Sequence, residues 1–282
     1  MMQNRQAWLV YDREGAERNR DYIAAHKQVG KGFGISFELK IKEQWNYPFA
    51  ENSWGEKPDF AIVRTICPEL SMALEQEGIP VFNNAMVSEI CNDKGKTISY
   101  VAQNSRVPVI PTETFDSETL SEEFLKVHPD SVIKAVAGHG GTQVFRTEDS
   151  FARIQAGIAS SDFVLQPFIK GAGDIRVYVI GKEIVGAVLR RSKEGFRANY
   201  SLGGTVQSYS LPEEARKWTE HICNLFSFGL VGIDFLLDAE GRFFLNEIED
   251  VVGARMLYAC QPQVKLLERY FSFILDKMLQ SS

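Results

Sequence analysis

Short apolar runs alternate with amphipathic segments over the first ninety residues of the chain. The apolar runs are AWLVY, ISFELKI, KPDFAIVR and GIPVF, and the polar segment REGAERNRDYIAAHKQ separates the first two. Strand-like runs separated by helical segments are typical of a parallel sheet with crossing helices. The pattern therefore predicts a small parallel α/β domain at the start of the chain.

The next segment changes to a helical period. VFNNAMVSEICNDKGKTISYVAQNS predicts two consecutive helices, the second with Asn92 or Asp93 as its N-cap. The proline-bracketed RVPVIPTETF then ends the helical region, which predicts a linker or an edge segment. We expect a domain boundary between residues 90 and 110.

From residue 131 onward, strand-like runs follow one another closely: SVIKAV, TQVFR, FVLQPFI, DIRVYVIG and KEIVGAVLRR. Such short connections favour antiparallel pairing. A helix is expected over residues 212–228, followed by a hairpin from LVGIDFLL to RFFLNEIE and a closing helix over 263–279. The whole pattern predicts a mixed α/β (α+β) protein.

Composition limits the classes of function. The 282 residues carry a net charge of -6, which argues against nucleic acid or an anionic membrane as the main partner. The chain shows neither a stretch apolar enough to span a membrane nor a CxxC pair. We therefore expect a soluble cytoplasmic protein whose four scattered cysteines are free thiols.

The register of the hairpin decides where its acidic end points. If DAEG at 238–241 forms a four-residue loop, Leu237 faces Arg242, and Asp234 is then expected opposite Leu245. Cross-strand neighbours share a face of the sheet. A loop of three residues would reverse this argument.

With that register, Asp234, Glu247 and Glu249 converge on one face, because side chains alternate along a strand. Three close carboxylates repel one another unless cations or water compensate them. Oxygen ligands of this kind suit Mg²⁺, which also takes phosphate oxygens. The alternative is a solvated acidic strand end.

Other segments indicate an anionic ligand. Lys134 lies inside the apolar run SVIKAV, where a buried ammonium needs an anionic partner. It precedes glycines at 138, 140 and 141, which allow backbone to approach a phosphate closely. Downstream, LRRSKEGFRANYSLGG gathers four cations: Arg190, Arg191, Lys193 and Arg197. Together these features suggest a site for a polyphosphate, divalent cations and an acidic substrate, although each alone is also compatible with an ordinary turn or a solvated loop.

The order of these motifs resembles the ATP-grasp superfamily, and within it the RimK-type glutamate ligases. NDKGKT and VIKAVAGHGGTQVF are similar to the segments that carry the family's two ATP-binding lysines and its glycine-rich lid. RRSKEGFRANYSLGG resembles the family's R-R-x-x-x-x-F-R-x-N segment followed by glycines. The resemblance implies an ATP-grasp fold with a pre-ATP-grasp domain over 1–92, a central domain over 93–160 and a C-terminal domain over 161–282.

The resemblance also implies roles for individual residues. The residues expected to bind ATP are Lys94, Lys134, Gly138, His139, Gly140, Gly141, Gln166, Phe168, Ile169, Asp174 and Asn199. Mg²⁺ or Mn²⁺ would be held by Asp234, Glu247 and Glu249, while Arg176, Arg191 and Arg197 would stabilise charge during catalysis. Arg64 and Arg255 are candidates for the substrate pocket.

The implied reaction is ATP-dependent ligation of a carboxylate to an amine through an acylphosphate. The expected substrate is a small molecule, an amino acid or a peptide, and the sequence leaves a homo-oligomer open. An ATP-binding protein without ligase activity, or a kinase, would use the same phosphate site.

Two departures from the family pattern bear on the substrate. Pro167 stands where many relatives have Glu, and the usual E-x-N followed by a small residue, Pro and Gly is here Glu247-Ile248-Glu249-Asp250-Val251-Val252-Gly253. The altered loop puts glutamate itself, as the amino acid added, in question.

Overall fold

The computed structural model describes residues 4–47, 49, 54–138, 143–191 and 205–280. In the described part of the chain, none of the helices is long and apolar enough to cross a membrane.

The N-terminal part is a parallel sheet, as predicted. Its elements are β1 (Arg5–Tyr11), α1 (Arg13–Arg18), α2 (Arg20–Gly32), β2 (Ile35–Ile41), β3 (Phe60–Val63), α3 (Pro68–Gln76) and β4 (Val81–Phe82). The strand order is β2-β1-β3-β4, and every pairing is parallel. Burial of all four β3 residues fits a parallel sheet covered on both faces.

Two consecutive helices follow, α4 (Ala85–Cys91) and α5 (Lys94–Asn104), which confirms the second prediction. Asn84 caps α4 by accepting a hydrogen bond from the Val87 amide, and Asp93 caps α5 by accepting one from the Lys96 amide. The cap at Asp93 fixes where Lys94 begins its helix.

The middle of the chain forms an antiparallel sheet. It contains β5 (Glu113–Phe115), α6 (Glu122–Val127), β6 (Ser131–Ala135), β7 (Val144–Arg146), α7 (Phe151–Ile158) and β8 (Phe163–Pro167), with strand order β5-β8-β6-β7. Strand β8 belongs to this sheet although it lies beyond residue 160, where the central domain was expected to end. The division of the chain into three domains stays a prediction.

The C-terminal part is a five-stranded antiparallel sheet with order β11-β10-β9-β12-β13. Its elements are β9 (Gly171–Ile180), β10 (Glu183–Arg191), β11 (Thr205–Ser208), α8 (Glu213–Cys223), β12 (Leu230–Asp238), β13 (Phe243–Glu249), α9 (Arg255–Cys260) and α10 (Leu266–Gln280). The segment RVPVIP lies along β13: the Leu245 amide donates to the Pro108 carbonyl at 2.8 Å. It is therefore the edge segment that its prolines indicated.

The hairpin register differs from the prediction. Leu237 pairs with Phe243 rather than with Arg242, and Phe235 pairs with Leu245. This difference of one residue would by itself turn the acidic side chains of β13 to the other face of the sheet. A bulge between Asp234 and Phe235, however, shifts the register by one more residue. A loop longer than expected and a bulge thus cancel, so that Asp234 lies opposite Glu247.

The two faces of the C-terminal sheet differ in chemistry. One face is apolar, and Ile175, Ile233 and Ile248 pack there in a core shared with α4, α5 and α8. The residues that alternate with them point to the other face. At one end of that face, Tyr178 and Leu230 join a core with α2, α10 and the parallel sheet. At the other end lie the charged residues of the candidate site.

Candidate active site

The acidic end of the hairpin lies on a single face. Asp234 pairs with Glu247 and Gly232 pairs with Glu249 across β12 and β13, so the side chains of Asp234, Glu247 and Glu249 point the same way. The predicted convergence is confirmed, although the predicted partner of Asp234, Leu245, is wrong.

Arginines from β9 and β10 cover Asp234. Arg176 donates from Nε to Oδ1 at 2.8 Å and from Nη2 to Oδ2 at 2.7 Å, and Arg190 Nη2 donates to Oδ2 at 2.5 Å. Asp234 is 0% exposed. Burial raises its pKa, but the two guanidinium groups outweigh burial and lower the pKa to about 2. Asp234 is therefore an anion enclosed by cations.

The charge network extends on both sides of Asp234. Arg190 also donates to Asp174 Oδ2 at 2.5 Å, and Arg176 forms an ion pair with Glu249. Desolvation raises the pKa of Asp174 to about 6, although Arg190 acts in the opposite direction. Alternating carboxylates and guanidinium groups thus run across four strands of the sheet.

Two of the three predicted metal ligands belong to this charge network. Across the described ranges, which omit 139–142 and 192–204, no three His, Cys, Asp or Glu side chains are arranged to hold a metal ion. The three carboxylates share a face, but arginines already neutralise Asp234 and Glu249. Glu247 differs, because the cation near it is Lys94, whose Nζ lies 3.7 Å from Glu247 Oε2. The assignment of the three as metal ligands stays a prediction.

Two lysines from distant parts of the chain meet at Glu247. Lys134 Nζ donates to Asn246 Oδ1 at 2.7 Å, and Lys94 Nζ donates to the Gly138 carbonyl. Burial lowers the pKa of Lys134 to about 8, with Glu247 acting against it and Lys94 acting with it. The hydrogen bond of Lys134 therefore goes to an amide, and Glu247 is the carboxylate whose charge most favours the ammonium form of Lys134.

The residues expected near a nucleotide base lie at the end of β8. Gln166 is buried and donates from Nε2 to Thr112 Oγ1 at 2.8 Å. The Arg146 guanidinium lies 3.6 Å from the centre of the Phe168 ring, and Ile169 follows. The assignment of Gln166, Phe168 and Ile169 to a nucleotide base stays a prediction.

Several predicted residues lie outside the described part of the chain: His139, Gly140, Gly141, Arg197 and Asn199. Gly138 and Arg191 are the last described residues before two of the gaps, and Arg191 is exposed.

The two substrate candidates flank the altered loop. Arg64 is buried and donates from Nη2 to the Val252 carbonyl at 2.9 Å, while its guanidinium lies 5.3 Å from the centre of the Tyr22 ring. Arg255 is exposed and begins α9. Of these two residues, Arg64 is thus the one that donates a hydrogen bond to the loop.

Three residues of the site were missing from the predicted set. Arg190 was seen only as part of a cationic run, although it pairs with Asp174 on β9 and shares a face with Val188, the partner of Arg176. Asn246 was hidden by the bulge, which no local pattern indicates. Asp250 was unexplained, and in the structure it bonds to Asn83 and Asn92.

Comparisons with known proteins identify the family of the chain. The model of the RimK-like ATP-grasp domain matches residues 91–264. The uncharacterized protein MG011 of Mycoplasma genitalium is 26% identical over 282 residues, covering 98% of this chain and 94% of that protein.

A human relative, beta-citrylglutamate synthase B, is 28% identical over 193 residues, which are 64% of this chain and 49% of that protein. The alignment thus spans about half the length of that enzyme. Among solved structures, a RimK domain protein from Sphaerobacter thermophilus superimposes with a TM-score of 0.72 at 18% identity, covering 96% of this chain and 99% of that one. This last likeness shows the fold.

Proposed function

The chain belongs to the RimK-like ATP-grasp family, and from that premise we propose that it joins a carboxylate to an amine through an acylphosphate, at the expense of ATP. The family assignment and its ligase members support an ATP-dependent carbon–nitrogen ligase.

One observation carries the proposal: Lys94, Lys134 and Glu247 come together from three elements. The distance of 3.7 Å between Lys94 and Glu247 and the bond from Lys134 to Asn246 bring both ammonium groups to the end of β13. Paired lysines beside a carboxylate suit a polyphosphate with a divalent cation, because the lysines contact phosphate oxygens and the carboxylate contacts the metal.

The carboxylates fit a hard divalent cation by their chemistry. The Glu247 and Glu249 side chains are partly exposed, and Asp234 Oδ1 accepts one hydrogen bond, which leaves one of its lone pairs. We assign Asp234, Glu247 and Glu249 to Mg²⁺ or Mn²⁺. A metal bound there would neutralise charge on the β- and γ-phosphate oxygens.

In the proposed reaction, a substrate carboxylate oxygen attacks the γ-phosphorus and ADP leaves. An amine then attacks the acyl carbon, phosphate leaves with the bonding electron pair, and the nitrogen loses a proton to give the amide. Lys134 and Lys94 hold the phosphates, while Arg191 and Arg197 stabilise the negative charge that develops during transfer. Arg176 contributes indirectly, because it bridges Asp234 and Glu249.

Arg64 supports a substrate with its own carboxylate. It forms no salt bridge within the described part of the chain, and its Nε, which is buried, has no hydrogen-bond acceptor there. A buried guanidinium is stabilised by an anionic partner. A carboxylate of the substrate would supply one beside the altered loop, and Arg255 would contact the same molecule from α9.

A binding protein without ligase activity is the second candidate. Its support is the arginine cover on Asp234 and Glu249, which competes with a metal for the same oxygens.

Incubation with Mg-ATP and pools of amino acids, carboxylic acids and short peptides separates the candidates. The ligase releases ADP and phosphate only when both substrates are present, and mass spectrometry finds an amide. A stable phosphorylated product would indicate a kinase. ATP binding without ADP release in any pool would leave the second candidate.

A further inference from the structure

The carboxylate of Asp250 is buried between two asparagine side chains. Asn83 Nδ2 donates to Oδ1 at 2.7 Å, and Asn92 Nδ2 donates to Oδ2 at 3.0 Å. Asp250 is 4% exposed and forms no salt bridge with any residue that the structure describes. Directed amide donors therefore hold this anion, and such bonds fix its orientation as well as its position.

Asn83 connects Asp250 to the start of β12. Its Oδ1 accepts a bond from the Gly229 amide at 2.5 Å, and its Nδ2 also donates to the carbonyls of Leu230 at 2.9 Å and Asp250 at 3.1 Å. Asn83 directly follows β4 of the parallel sheet. The Asn83 side chain therefore connects the start of β12 and the residue after β13 to the N-terminal part of the protein.

Asn92 connects Asp250 to the segment that carries Lys94. Asn92 is the C-cap of α4, and Lys94 begins α5 two residues later. On the other strand, Glu247 precedes Asp250 by three residues, and it lies 3.7 Å from Lys94. Two contacts therefore join the segment at the start of α5 to the segment at the end of β13. One is the bond between Asn92 and Asp250, and the other is the contact between Lys94 and Glu247.

The rest of the altered loop is fixed in the same manner. The Val252 carbonyl accepts a bond from Arg64, and the Gly253 carbonyl accepts one from the Tyr178 hydroxyl at 3.1 Å. Four side chains thus hold loop 250–253, and Asp250 is the residue of the loop whose own side chain takes part in these bonds.

We propose that Asp250 is a positioning residue that sets the spacing between Lys94 and Glu247 through Asn92. The inference rests on the proposed function, since it gives those two residues the phosphate and the metal.

The test measures the dissociation constant of Mg-ATP by calorimetry for Asp250→Asn. The new amide has one oxygen for the two donors Asn83 and Asn92, so it loses one of these bonds, and Mg-ATP should bind about tenfold more weakly. Asn92→Ser removes the same bond together with the bond from Asn92 Nδ2 to the Ser88 carbonyl at 2.6 Å, and the double variant Asp250→Asn/Asn92→Ser should bind Mg-ATP no more weakly than the weaker single variant.

Asp238→Asn is the matched control. Asp238 is a buried carboxylate at the other end of the same hairpin, and it accepts bonds from the Arg242 amide at 2.8 Å and from Arg242 Nε at 2.7 Å. Its loss should lower the melting temperature without changing Mg-ATP affinity. If Asp250→Asn does not fold, Asn92→Ser removes the same bond from the α4 side and should weaken binding to the same extent.

Wild-type affinity in Asp250→Asn, an equal loss in Asp238→Asn, or losses that add in the double variant would overturn the inference while leaving the proposed function standing. A wild-type protein that binds no Mg-ATP would overturn both.

Discussion

Arg176 binds both carboxylate oxygens of Asp234, at 2.8 and 2.7 Å, from the neighbouring strand of the sheet. The two residues are cross-strand partners on β9 and β12. This pair is the centre of the charged end of the sheet, because Arg190 also bonds Asp234 and Glu249 also pairs with Arg176.

Arg176→Met should destabilise the protein by roughly 3–5 kcal/mol, because it leaves Asp234 and Glu249 with fewer cations in a buried place. Arg176→Lys keeps the charge but loses the two-point contact, so its loss should be smaller. Urea unfolding measures both, and Arg191→Met, at the exposed end of β10, serves as the control. Equal stability of Arg176→Met and Arg191→Met would contradict the account.

Lys134→Met should weaken ATP binding while leaving the stability of the protein nearly unchanged. The substitution removes a buried ammonium, so the free energy of unfolding should change by less than about 1 kcal/mol, while ATP affinity should fall at least about tenfold. Lys96→Met is the control, because Lys96 is exposed and pairs with Glu89 at 3.0 Å. Calorimetric titration with Mg-ATP gives the affinities. An unchanged dissociation constant in Lys134→Met would rule out its phosphate contact.

Gly232→Ala should disturb the site through packing. A Cβ at Gly232 would lie 2.7 Å from Val252 Cγ2 and 3.2 Å from Arg176 Cδ, so either the loop or the arginine must shift. At Gly253 of the same loop a Cβ meets nothing within 4 Å. We expect Gly232→Ala to lower ATP turnover about tenfold or more and Gly253→Ala to leave it near wild type. Steady-state ADP release measures both, and the reverse order would refute the packing argument.

His26 should make the protein sensitive to acid. Burial lowers the pKa of its imidazole to about 3, from an ordinary value of 6.5. As pH falls below about 6.5, the unfolded chain takes up the proton first, so the free energy of unfolding drops by about 1.4 kcal/mol per pH unit. The contribution is complete above that pH.

His26→Gln keeps a donor for the Tyr22 carbonyl, which accepts from His26 Nδ1 at 2.7 Å, but it does not titrate. Between about pH 7 and pH 5 wild type should lose about 2 kcal/mol more than the variant. Urea unfolding at the two pH values measures the difference, and parallel losses would show that His26 does not carry this dependence.

The fold was largely predictable because the apolar runs carry their periods locally. The parallel first sheet, the paired helices α4 and α5 and the antiparallel later strands all follow from segment spacing. The register of the hairpin was not predictable, because the bulge between Asp234 and Phe235 depends on pairing with a distant strand. The correct shared face of Glu247 and Asp234 resulted from two errors that cancelled.

The sequence predicted most residues of the site, but it did not predict the contacts between them. Alternation places Asp234, Glu247 and Glu249 on one face, but it cannot show that arginines from β9 and β10 cover two of them. The role of Asp250 was equally hidden, since its partners Asn83 and Asn92 lie far away in sequence. Such long-range polar contacts have no local sequence signal.

The measurement that tests the central claim most directly is ADP release by Glu247→Gln, in the presence of Mg-ATP and the acceptor found by screening. Glu247 is a partly exposed side chain beside Lys94, so the variant should fold normally. If Glu247 holds the metal of an ATP site, turnover should fall by roughly 100-fold or more while the melting temperature stays unchanged. Near-normal ADP release from the folded variant would contradict the assignment of this strand end as the cation-binding edge of a ligase.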